Sequence, residues 1–106
     1  MIIETDKIYS WREADQISLV NLHPALQDAV FMVDEDRLKF RDEGTCVLGA
    51  GIAVWVKERY ARNSSVRILI RAPFQGNVGS AKSCDRALAY LKEQGIAAFW
   101  HDGVMD

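Results

Sequence analysis

Gly76-Asn77-Val78-Gly79-Ser80-Ala81-Lys82-Ser83 is the stretch of this sequence whose spacing comes nearest to a chemical motif. It approaches the phosphate-loop pattern G-x-x-x-x-G-K-[ST], and it follows a strand-like run and precedes a helical one. In such a loop the amides of a glycine-rich turn and of a helix start converge on an anion, and the lysine adds a point charge. Ala81 stands where the second glycine belongs, and the segment that follows is too short for the metal-holding strand of a nucleotide hydrolase. Two readings stay open. Gly76, Asn77, Gly79, Ser80, Lys82 and Ser83 form a simple anion site, or the segment is a turn rich in helix-capping residues.

No other set of residues assembles into a reaction centre. His23 precedes Pro24, and His101 stands beside Asp102; neither has the i, i+4 partner of a helical metal site. Cys46 and Cys84 lie in apolar surroundings, where a free thiol behaves as a small hydrophobe, and two cysteines lack the spacing of a zinc centre. They read as reduced core residues, and sequence alone leaves a disulfide between them open. No Ser-His-Asp or Cys-His arrangement can be built. The expectation is a chain with no catalytic residues, no metal and no cofactor.

Composition narrows the partners. The 106 residues are 49% hydrophobic and 26% charged with a formal charge of -2, an ordinary balance for one globular domain spanning 1–106. A nucleic-acid binder usually carries a basic excess, so nucleic acid is not expected. Lys57, Arg59, Arg62, Arg67 and Arg71 do gather, but interleaved with Glu58 and Asn63 they read as a solvated helix end. The longest apolar run, Cys46 to Val56, falls well short of the roughly 20 residues of a membrane span, and Met1 to Ser10 is too polar for a signal peptide. A cytoplasmic protein without membrane contact is expected. Trp55 and Trp100 read as core, whereas Trp11 stays open between an exposed interface anchor and a side chain packed on the sheet edge.

The elements follow from periodicity. Met1 to Ile8 reads as a brief strand. Ser10-Trp11-Arg12-Glu13 is a capping box opening a helix that Pro24 closes near Leu22, with Tyr9 as a hydrophobic staple. Ala29 to Val33 is a short continuous apolar run, the pattern of a strand buried on both faces, and Leu38 and Phe40 alternate with charges as an edge extension. Thr45 to Arg62 reads as a central buried helix, in which Gly49 and Gly51 each cost about 1 kcal/mol of helix propensity. Val66 to Ile70 is the next strand. A helix starting at Ser80 or Ser83 stops at Gly95, Ile96 to Trp100 is the last strand, and His101 to Asp106 is a polar tail. Strands alternating with helices predict an α/β single-domain sandwich of about four mostly parallel strands and three helices.

That order of elements resembles the small STAS domains, the fold of the anti-sigma-factor antagonists. Ala29 to Val33 followed by Leu38-Lys39-Phe40-Arg41-Asp42 resembles the family's strand and short apolar segment ending in aspartate. Thr45 to Arg62 looks like its central helix and Val66 to Ile70 like the next strand. Cys84-Asp85-Arg86-Ala87-Leu88 through Gln94-Gly95-Ile96 is similar to its closing helix, and Tyr9-Ser10-Trp11-Arg12-Glu13-Ala14 to a helix start in STAS-like domains. In the antagonists the loop before the central helix carries a phosphorylated hydroxyl. Here Arg41-Asp42-Glu43-Gly44-Thr45 sets Gly44 or Glu43 at that position, with Thr45 the nearest hydroxyl, one residue away. The resemblance implies a non-catalytic regulatory module that binds a protein partner through Asp42, Glu43, Gly44 and Thr45, with homodimerisation open; the competing reading of the residues is that Asp42, Glu43 and Thr45 only cap the helix that follows. The alternative is a small-molecule or anion-binding protein that uses Gly76 to Ser83.

Overall fold

A computed structural model describes residues 1–5, 23–58 and 62–105. The elements run β1 (Ile3–Thr5), α1 (Pro24–Asp36), β2 (Val47–Leu48), β3 (Gly51–Glu58), β4 (Ser65–Arg71), α2 (Asn77–Glu93), β5 (Ala98–His101) and β6 (Val104–Met105). The capping box at Ser10 and the helix expected up to Leu22 lie outside the described residues, as does Trp11.

β3 organises the sheet. Its Ile52, Val54 and Val56 alternate along one face, and β-branched side chains at that spacing suit a pleated strand. β4 pairs antiparallel along one edge of β3, with a register shift between Ile52 and Ala53. The other edge is shared end to end by two short strands. β5 pairs antiparallel with Gly51 to Val54, and β1 pairs parallel with Val56 to Glu58. The junction is closed by Ala97 N–H donating to the Met1 carbonyl at 2.8 Å and Trp55 N–H donating to the Ala97 carbonyl at 3.0 Å. The N-terminal ammonium reaches the Gly95 carbonyl beside it. β2 and β6 form a separate antiparallel ribbon.

Ile52, Val54 and Val56 meet Ile3, Ile70 and Ile96, together with Leu26, Ala29 and Val33 of α1 and Cys84, Ala87 and Leu91 of α2. Leu26, Ile52 and Leu91 are completely buried, each worth about 1.5–3 kcal/mol relative to exposure. The two helices are also pinned to each other by polar contacts. The Tyr90 hydroxyl donates to Asp28 at 2.7 Å, and Arg86 Nε donates to Asp36 Oδ2 at 3.0 Å. Asp36 is the buried member; its other oxygen has Lys39 Nζ at 3.3 Å but accepts no hydrogen bond.

The α/β class is as expected, but its finer description is corrected. The four-stranded sheet is mixed, with both long pairings antiparallel, and the described residues hold two helices. Residues 29–33 are helix, not strand. His23 caps α1 by accepting the Ala25 N–H on Nδ1 at 3.1 Å, and Pro24 occupies the first turn, so this proline opens a helix instead of closing one. Ala25, Leu26, Ala29 and Val33 form the buried stripe while Phe31, inside the apolar run, is exposed. The turn after α1 exposes Leu38 and Phe40 instead of extending an edge.

Of the stretch expected as a central helix, residues 45–58 hold β2 and β3, and residues 59–61 lie outside the described residues. Gly49 has φ of +76°, a left-handed conformation that breaks the chain direction between the strands. Trp55 therefore falls on the sheet face opposite the helices and is 39% exposed, whereas Trp100 packs half-buried against the core. Lys57, Arg67 and Arg71 stand on β3 and β4 and not on a helix end. The terminal tail contains β6.

Candidate functional site

The two sequence segments singled out above are one structure. The loop of residues 41–45 lies against the first turn of α2, and main-chain groups of each satisfy the other. Gly76, at the helix N-cap, is extended and contributes no side chain to the cap, and the first turn of α2 contains no acidic residue. The first four amides of a helix have no partner inside it. Here the distant loop supplies the acceptors.

Asp42 Oδ1 accepts the Gly76 N–H at 2.6 Å. The Thr45 carbonyl accepts the Asn77 N–H at 2.9 Å, and the Glu43 carbonyl takes both the Val78 and Gly79 N–H groups at 3.2 and 3.1 Å. Asn77 answers in the reverse direction, its Oδ1 accepting the Thr45 N–H at 2.9 Å. The contact continues beyond the turn. Cys46 bridges Gly76, and Val47 N–H donates to the Gln75 carbonyl at 2.9 Å.

Two glycines permit this approach. A Cβ on Gly79 would collide with the Arg41 carbonyl oxygen, and one on Gly76 with the Glu43 carbonyl oxygen; both are backbone atoms that cannot swing aside. Gly76 just before the helix and Gly79 in its first turn therefore both leave room for the backbone of the 41–45 loop.

The charges complement this geometry. A carboxylate at a helix N-terminus gains about 0.3–1 kcal/mol from the aligned peptide dipoles. Lys82 Nζ donates to Glu43 Oε1 at 3.1 Å, and Arg41 Nε donates to Glu43 Oε2 at 3.3 Å. The hydrogen bond from Lys82, seconded by that from Arg41, holds the Glu43 carboxyl below its ordinary range. The two serines of the loop are turned inward. Ser80 Oγ donates to the Phe74 carbonyl at 2.7 Å and Ser83 Oγ to the Gly79 carbonyl at 2.8 Å, both side chains being buried.

Of the residues assigned to anion binding, Gly76, Asn77 and Gly79 thus donate their amides to the 41–45 loop. Ser80 bonds to the Phe74 carbonyl and Ser83 to that of Gly79, and Lys82 is paired to Glu43. Of those assigned to a partner surface, Asp42, Gly44 and Thr45 are exposed and Glu43 is half-buried. None of these four begins a helix of its own; they face the start of α2. Arg41 and Gln75 belong to the same contact and were not marked by sequence reasoning. The paired glycines and the missing local cap were the available signals.

His101 Nδ1 accepts the Gly103 N–H at 3.1 Å. Both cysteines are free thiols. Burial, aided by the nearby charges of Asp85 and Asp36, pushes the Cys84 thiol up to about 12, which leaves it a poor nucleophile at neutral pH. Among the described residues no cluster of three or more His, Cys, Asp or Glu side chains is placed to hold a metal ion, and no helix is long and apolar enough to cross a membrane. Comparison with protein-family models, curated proteins and solved structures finds no match to this chain.

Proposed function

We propose that this chain is a non-catalytic, cytoplasmic interaction module that meets a protein partner through the loop Asp42-Glu43-Gly44-Thr45. One observation carries the reading: the loop is fixed by main-chain bonds on both sides of Gly44, yet Asp42, Gly44 and Thr45 remain exposed. A recognition loop needs exposed groups held in one place by a scaffold, because less ordering entropy is then lost on binding. The segments compared with the STAS family's strand and central helix are here α1 and the strands β2 and β3, so the support offered for the reading is the geometry of the loop.

Anion binding at Gly76 to Ser83 has less support from the geometry. A phosphate would have to displace Asp42 and the Glu43 carbonyl from the same amides and break the Lys82–Glu43 pair.

Thr45→Arg tests the proposal cleanly, because the hydrogen bonds Thr45 makes here use its main chain. The variant should melt within a few degrees of the wild type and lose the proteins that wild-type bait recovers by cross-linking in lysate. A folded variant that recovers the same proteins in the same yield would remove the loop from the function.

A further inference from the structure

We draw no further inference here: the strongest candidate, the open cleft lined by Val47, Leu48, Ala50, Arg71, Phe74 and Gln75 between the β2–β3 turn and the loop after β4, is a surface of mixed polar and apolar character for which nothing in the structure shows what covers it.

Discussion

The two ends of α2 solve the same problem by different means. At the C-terminus the solution is local. Gly95 adopts φ of +77°, its N–H donates to the Lys92 carbonyl, and Ile96 N–H donates to the Leu91 carbonyl, both at 3.0 Å. This is a Schellman closure, and Ile96 then enters the core beside Leu91. At the N-terminus the acceptors arrive from Asp42, Glu43 and Thr45, more than thirty residues earlier in the chain. A local cap is stabilised by a few neighbouring dihedrals. A remote cap forms only when the tertiary fold brings its two segments together, so it reports on the whole domain.

Gly79→Ala should give the largest effect and divides the two descriptions of the N-terminus by sign. In a helix that simply starts in solvent, replacing glycine with alanine adds about 1 kcal/mol of stability. With the Arg41 carbonyl lying against this position, the new methyl group must push backbone away. The expected outcome is a loss of about 3 kcal/mol, at the upper end of overpacking costs. Urea unfolding measures it, and a stabilised variant would show that the loop does not dock there.

Gly95→Ala makes the matching change at the other end. No atom lies within 4 Å of a Cβ built at this position, so the cost is conformational only. Forcing alanine into the left-handed region should lower stability by about 1.5 kcal/mol. The same unfolding experiment checks it, and an unchanged midpoint would mean that Gly95 is not held in that conformation.

These two ends also mark how far the sequence could be read. The stop at Gly95 was legible because a glycine after an amphipathic run states its own reason. β4 was legible from its β-branched run, and β5 from the short apolar run Ile96 to Trp100. The other end was not, since helix-start signals are sought in the few residues before a helix. Ser80 and Ser83 looked like caps, yet they sit inside α2 and bond to carbonyls. The exchange of helix and strand between 24–36 and 47–58 has a related cause. A continuous apolar run of moderate length fits both states. The arbiters were present but misread: Pro24 at a helix start, Gly49 at a turn, and Ile52, Val54 and Val56 in alternation. The pairing of 42–45 with 76–83 was marked on both sides but not joined, because no local pattern encodes a contact between segments so far apart.

Asp42→Ala probes the remote cap without adding bulk. It removes the oxygen that accepts the Gly76 N–H and should cost about 1 kcal/mol, the typical cost of losing an N-cap. Asp42→Asn keeps an acceptor and should recover most of that loss. Amide exchange at Gly76 distinguishes this from a general weakening: its protection should fall in the alanine variant more than that of Leu91 at the opposite end. Equal loss at both positions would show that the variant acts on global stability and not on this cap.

The smallest effect belongs to the Lys82–Glu43 pair, whose side chains are half-exposed, where solvent and salt screen the attraction. Its direction is nevertheless fixed. The hydrogen bonds from Lys82 and Arg41 favour the charged carboxylate of Glu43 in the folded state, so its pKa lies below the unfolded value. A depressed carboxylate contributes its stability above the unfolded pKa and loses it as pH falls through the folded one. Acidification should therefore weaken the docking of 41–45 on α2 before it reaches the apolar core. A carbon-detected titration of Glu43 should show a midpoint below that of an unstructured peptide. Lys82→Met should move it up toward the ordinary range, because the largest contributor has gone, while Arg41 still holds it partly down. If Lys82→Met leaves the Glu43 midpoint where it was, the lysine is free in solution, and the anion-binding reading of the Gly76 to Ser83 loop regains the charge that the pair now occupies.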